Sequence, residues 1–242
     1  MNEFALGSWQ ELRPGIYRAV AEPESVNLGL VVGTEAALLV DTGSSPEQGR
    51  AIRESVSTVT DRPLVAVVVT HWHYDHAFGL AAFAGLDSVG HESVAGRLAS
   101  PEAAAEATRL GVAPEALVPP GRELVVATAF DLGDQRVEVA HLGRGHTDGD
   151  LLVVVPGPDV VFAGDLIESA GAPSFGPDSV PDEWAGTLDG LVGLMTERTI
   201  AVPGHGDPVD RAFVFSQRGE VAAQAAGQPP VVLPNRPPLP LA

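Results

Sequence analysis

The chain of 242 residues, 45% of them hydrophobic, is long enough for one domain with a large core or two small ones, and one is expected. Fourteen basic against thirty-two acidic residues leave a formal charge of −18, which repels nucleic-acid phosphates and anionic membranes and weighs against a polyanionic substrate. All the basic residues are arginine and cysteine is absent, which excludes a lysine base, a Schiff base, a disulfide, a thiolate ligand and a cysteine nucleophile.

Met1-Asn2-Glu3-Phe4 has neither basic nor apolar leader character, and no segment approaches a membrane span, so a soluble cytoplasmic protein is the expectation. Strands are predicted at 15–20, 27–32 and 36–40, the last two around a Gly33-Thr34 turn, closed by Asp41-Thr42-Gly43. A helix follows from Pro46 to Thr60, with Ala51, Ile52, Ser55, Val56 and Val59 on one face, and Pro63 ends it. The run from Leu64 to Thr70 is β-branched and apolar, the pattern of a buried parallel strand. Directly after it, His71-Trp72-His73-Tyr74-Asp75-His76 places three of the seven histidines and a carboxylate in six positions. Neutral imidazole and carboxylate are the donors that Zn²⁺ accepts at neutral pH. The loop at the C-terminal end of such a strand is where open α/β sheets place their active sites, so this stretch is predicted to bind metal.

A helix starting at Ala77, a short strand at 88–90 and helical stretches at 92–100 and 101–110 come next. The irregular excursion at 111–123 could reach over the site. His91 has no ligand partner at useful spacing and is expected at the surface or in support of the site. A second meander is predicted at 124–129, 130–132 and 136–141, with Gly133-Asp134 as the turn. It delivers His141 and then, in a glycine-rich loop, His146. Arg144 beside it could hold a substrate carboxylate bidentately, or pair with Asp148 or Asp150. Strands at 151–155 and 160–163 lead to Asp165, a carboxylate beyond a buried strand, costly there unless paired or bound to a cation. The loop at 168–181 carries Phe175, which with Trp184 could wall the substrate, the alternative being that Trp184 packs the helix at 182–195. A strand at 199–202, His205, a helix at 208–226 and a Pro-rich tail at 227–242 complete the chain, giving one domain over 1–226 and the tail.

The pattern H-x-H-x-D-H after a hydrophobic strand resembles the signature of the metallo-β-lactamase-fold hydrolases. Four more pieces of that pattern stand in order: Leu39-Val40-Asp41-Thr42-Gly43 before it, then Gly145-His146-Thr147, Ala163-Gly164-Asp165 and Pro203-Gly204-His205-Gly206. The resemblance implies an α/β fold, a four-layer αββα sandwich of two mixed β-sheets flanked by helices. It implies two zinc ions, with iron or manganese as substitutes, one held by His71, His73 and His146, the other by Asp75, His76 and His205, with Asp165 bridging. It also implies that Asp41 supports the ligand loop through hydrogen bonds, the alternative being that it caps the following helix. His141 is then a supporting or substrate-contacting residue, or a plain surface histidine.

The activity implied is hydrolysis of an acyl bond in a small molecule, an ester, thioester, lactone or lactam, by a metal-bridging hydroxide that Asp75 orients before passing its proton to the leaving group. Asp165 stands where β-lactamases of one subclass carry cysteine, which with the missing lysine lowers the expectation of antibiotic hydrolysis. Persulfide dioxygenases resemble the same fold and keep the loop around one iron, and a non-catalytic binding protein on this scaffold is a further reading. Nothing in the sequence reports the oligomeric state.

Overall fold

The computed structural model describes residues 4–228 and Leu239. β1 (Ala5–Leu6) and β2 (Gln10–Arg13), too short to show a period, both lie against β3 (Ile16–Glu22). β3 pairs antiparallel with β4 (Val26–Val32), and β4 with β5 (Ala37–Val40). α1 (Pro46–Ser55) starts where the Ser45 hydroxyl accepts the Gln48 N–H and proline occupies the first helical position. Its expected course to Thr60 gives way to a 3₁₀ turn at Val56–Thr58. The hydroxyls of Ser55, Ser57 and Thr58 each donate to the carbonyl three residues back, which favours the tighter winding.

β6 (Leu64–Val68) runs parallel to β5, and its last three residues are buried. Beyond the histidine stretch come α2 (Tyr74–Ala77), a 3₁₀ turn at Leu80–Phe83, β7 (Asp87–His91), α3 (Glu92–Leu98), α4 (Pro101–Leu110) and β8 (Arg122–Leu124). α4 is capped by the Ser100 hydroxyl and ends at Gly111, whose φ of 76° closes the last turn. The excursion at 111–123 packs Leu117 and Val118 against the helix-side core.

A meander of β9 (Ala127–Asp131), β10 (Arg136–Ala140), β11 (Leu152–Val155) and β12 (Val160–Glu168) follows, then α5 (Pro181–Leu194), β13 (Ile200–His205) parallel to β12, and α6 (Arg211–Ala225). The strand expected at 124–129 is divided: Leu124 ends β8 beside β7, whereas Ala127 opens β9 beside β10. Val125 and Val126, 55% and 69% exposed, carry the chain across, and an apolar run does not reveal such a crossing. α6 starts at Arg211 rather than Pro208 because the Asp210 side chain accepts the Phe213 N–H at 2.7 Å.

Hydrogen bonds connect all thirteen strands in the order β8-β7-β6-β5-β4-β13-β12-β11-β10-β9, with β3, β2 and β1 branching from β4. The two mixed sheets of the expectation are therefore halves of one sheet, joined through the single residue pair His205 and Val26. Folded face to face, the halves enclose a core in which Ile16, Leu38, Val40 and Val68 face Val137, Val153, Phe162 and Val202. Burying each such side chain stabilises by about 1.5–3 kcal/mol. Gly29 lets β4 approach this core, because a Cβ there would lie 2.5 Å from the Phe162 ring. Leu28, Leu39 and Val67 pack with Ile52, Phe78 and Leu98 of the α1–α4 layer, and Leu152, Val161 and Ala201 with Trp184, Leu188 and Val214 of the α5–α6 layer. Helices, half-sheet, half-sheet and helices make the four layers of an α/β sandwich. No helix among the described residues is long and apolar enough to cross a membrane. The tail expected at 227–242 lies outside the described residues apart from Gly227, Gln228 and Leu239.

Candidate metal centre

Both halves contribute side chains to one edge of the sandwich. The loop leaving β6 presents His71 and His73, α2 presents Asp75 and His76, and the β10–β11 loop presents His146. Asp165 lies in β12 just after Gly164, where the register with β13 shifts, and His205 is the last residue of β13. These seven fall into two groups, His71, His73, His146 with Asp165, and Asp75, His76, His205, in each of which the donor atoms lie within 4.8 Å of one another.

The distances show how the groups meet. His73 Nδ1 is 2.8 Å from His146 Nε2 and 3.1 Å from His71 Nε2. His205 Nε2 is 3.1 Å and His76 Nε2 3.6 Å from Asp75 Oδ2. Asp165 faces both groups: Oδ1 is 3.2 Å from His76 Nε2 and 3.6 Å from His205 Nε2, whereas Oδ2 is 3.4 Å from His146 Nε2 and 3.8 Å from His71 Nε2. Gly204 makes room for this carboxylate, since a Cβ there would fall 1.7 Å from Asp165 Oδ1.

Each imidazole has an acceptor on its outer nitrogen. His76 Nδ1 donates to Asp41 Oδ2 at 2.8 Å, His73 Nε2 to Asp178 Oδ2 at 3.1 Å and His71 Nδ1 to Thr70 Oγ1 at 3.2 Å. His146 Nδ1 donates to the Ser174 carbonyl at 3.1 Å, and His205 Nδ1 to the Glu24 carbonyl at 3.1 Å. With five outer nitrogens protonated, the five inner nitrogens of neutral rings are lone pairs converging with two carboxylates. The buried His76 Nε2 and Asp165 Oδ1 have no hydrogen-bond partner at all. Such an array is repulsive by itself and fits divalent cations.

Without metal the array draws protons instead. Burial works against a charge on His76 and on His205, yet the fields of Asp75 and Asp165 hold His76 well above its ordinary value, and the Asp75 hydrogen bond and Asp165 raise His205 to about 9. Burial likewise disfavours the charged form of Asp165, but His76 and His146 hold it well below the usual carboxylate range. A histidine raised from 6.5 to about 9 contributes stability that is complete below 6.5 and lost as pH climbs through about 9. The metal-free protein is therefore expected to show a falling thermal midpoint across that window, and a midpoint that stays level or rises would refute charge on His205. Metal uptake near neutral pH should release these protons.

Asp41, 1% exposed, sits at a φ of 64°, which aspartate tolerates. Its Oδ1 accepts the Thr70 N–H at 2.7 Å and its Oδ2 the Thr70 hydroxyl at 2.9 Å, so it ties the end of β6 to His76 while Ser45 caps α1. Asp178 was not anticipated. It accepts the Trp72 Nε1–H at 2.7 Å as well as His73, and these bonds, against the opposing effect of burial, lower it to about 2. Its only sequence signal is that it is the sole charged residue between Ser169 and Pro181.

The fold also places Arg144, His91, His141 and Phe175. Arg144 pairs with neither Asp148 nor Asp150 but with Glu183, at an exposed position that leaves its fork occupied. Asp148 is held by Arg97, and Asp150 accepts the N–H and hydroxyl of Thr147. His91 is buried rather than exposed: its ring lies 4.2 Å from that of His141, and its Nδ1 accepts the Ser93 N–H at the start of α3. His141 donates to the Asp150 carbonyl at 2.9 Å and belongs to neither donor group. Phe175 packs 4.8 Å from the fully buried Trp184, whose ring in turn lies 5.7 Å from His146, so both support a candidate ligand from behind.

Comparison with known proteins agrees with this architecture. The family model described as the metallo-beta-lactamase superfamily matches residues 21–205. The chain belongs to that superfamily. Relatives within it include a type 2 metallo-beta-lactamase of Bacillus sp. (strain 170), 25% identical over 86% of this chain and 76% of its own. The human acyl-coenzyme A thioesterase MBLAC2 is 29% identical over 74% of this chain and 72% of its own. Among solved structures, the DIM-1 metallo-beta-lactamase superposes with a TM-score of 0.74 at 20% identity, covering 92% of this chain and all of that one, 100%. At that identity the likeness concerns the fold alone.

Proposed function

We propose that the protein is a hydrolase of small acyl compounds, an ester, thioester, lactone or lactam, working with two zinc ions. His71, His73 and His146 would hold one ion, Asp75, His76 and His205 the other, and Asp165 both. The observation that carries this reading is the Asp165 carboxylate, which turns one oxygen to each histidine group while its Oδ1 has no hydrogen-bond partner. Relatives named as a β-lactamase and an acyl-coenzyme A thioesterase support an acyl bond as the target.

Zinc bound here would supply a water acidified to a pKa of about 7 and a Lewis acid for the substrate carbonyl. The rest falls to the chain. Asp41, Asp178, Thr70, Ser174 and Glu24 keep the five rings in the tautomers that point lone pairs inward. The Asp75 carboxylate takes the proton lost by the attacking water and returns it to the leaving group. With neither lysine nor cysteine in the sequence, the reading calls on no lysine or cysteine nucleophile.

Elemental analysis of protein purified without added metal tests the reading first. About two zinc ions per chain, with turnover abolished by a chelator, is the expected result. One iron and little zinc would overturn it in favour of oxygen chemistry.

A further inference from the structure

The arginines that approach the candidate centre are all engaged. Arg97 forks onto Asp148, two residues from His146, with Nη2 2.7 Å and Nε 3.2 Å from Oδ2. Arg109, whose guanidinium lies 5.7 Å from the centroid of the Tyr74 ring beside Asp75, forks onto Glu106. Arg144, two residues before His146, forks onto Glu183. Arg18 reaches the loop after His205, but its Nε donates to Asn27 Oδ1 at 2.6 Å, its Nη2 to the Gly206 carbonyl at 2.9 Å, and its Nη1 lies 3.7 Å from Asp207.

Carboxylates without a guanidinium stand on the same rim. Glu24 gives its carbonyl to His205 and points its carboxylate at Ser44 Oγ, 3.3 Å away. Glu168 is the residue paired with His205 across β12 and β13, and its Oε1 accepts the Ala170 N–H. Asp178 holds His73. None of the three has an arginine within ion-pair distance among the described residues, although the field of Asp178 reaches Arg97, and the sequence offers no lysine.

We propose that this rim makes the centre selective for uncharged acyl substrates and against those bearing a carboxylate or phosphate beside the scissile bond. The inference rests on the hydrolase reading above and narrows it to neutral esters, lactones and thioesters. An incoming anion finds no free fork to pair with and must compete for one with Asp148, Glu106 or Glu183. It also meets the carboxylates of Glu24, beside Ser44, and Glu168, paired with His205, whose like charge opposes its entry. The chain's charge of −18 adds repulsion during approach.

The test compares two hydroxamic acids of matched length on the zinc-loaded full chain, by calorimetry. Butyrohydroxamic acid and succinic monohydroxamic acid share the metal-binding head and differ in a terminal methyl against a carboxylate. The neutral ligand is expected to bind about tenfold more tightly at low salt. High salt, or Glu24→Gln, should narrow that gap. Para-nitrophenyl butyrate should likewise be hydrolysed in preference to para-nitrophenyl hemisuccinate. Equal affinities, or tighter binding of the anion, overturn the proposal while leaving the hydrolase reading intact. Failure of both hydroxamates to bind the loaded protein overturns the metal-centre reading, and this proposal with it.

Discussion

Asp165→Ala is expected to retain one metal ion or none and to lose turnover by on the order of 10³-fold. Asp165 reaches both donor groups, with His76 Nε2 3.2 Å from one oxygen and His146 Nε2 3.4 Å from the other. Without it, two divalent cations would face each other across a gap with only Asp75 to offset them, and the more weakly held ion should leave. Asp165→Asn keeps the volume but removes the charge, and its amide can donate to the unpartnered His76 Nε2, so it should fold well and still bind poorly. Metal content by emission spectrometry and kcat on a neutral ester, measured on both variants with circular dichroism as the folding control, decide the matter. Two ions per chain with an unimpaired rate would remove Asp165 from the centre.

The second large effect lies one bond further out. Asp41→Asn leaves the positive φ tolerable and an oxygen for the Thr70 N–H, but sets an amide NH₂ where Oδ2 now accepts from His76 Nδ1 at 2.8 Å. A donor facing Nδ1 forces the proton to Nε2, the nitrogen turned towards Asp165 and Asp75. Affinity for the ion at that group is expected to fall by about 10–100-fold with the fold intact. Metal titration by calorimetry should show the weakened ion at that group alone, and unchanged affinity at both groups would disprove the role. Asp41→Ala is a different experiment. It strands the buried Thr70 N–H and hydroxyl at a strained φ and should cost about 2–5 kcal/mol of stability in denaturant titration.

What was legible in the chain lay on single strands and in the loops at their ends. The β-branched run before His71, the glycine beside His146 and the carboxylate after Gly164 are local patterns, and His71, His146 and Asp165 all stand at the shared edge. Contacts between layers were not legible. Glu183 is 39 residues from Arg144, and Asp178 is 105 residues from His73, so spacing offered Asp148 and Asp150 to the arginine and nothing to the histidine. His91 and His141 looked solitary for the same reason, since only the folding of one half-sheet over the other stacks them. The division at Leu124 escaped because exposed valines read like buried ones.

The seam between the half-sheets carries one more consequence. Among strand pairings, His205 with Val26 alone joins them, beside the backbone bonds of Leu151 to Thr70 and Glu35 to Leu132, while four of the seven converging side chains come from one half and three from the other. Ions held there would act as a reversible cross-link, the service a disulfide gives other sandwiches and one that this cysteine-free chain can obtain only through coordination. Scavenging the metal would then unlatch the edge as well as silence the chemistry, making mechanical cohesion and catalysis answer to the same free-ion concentration.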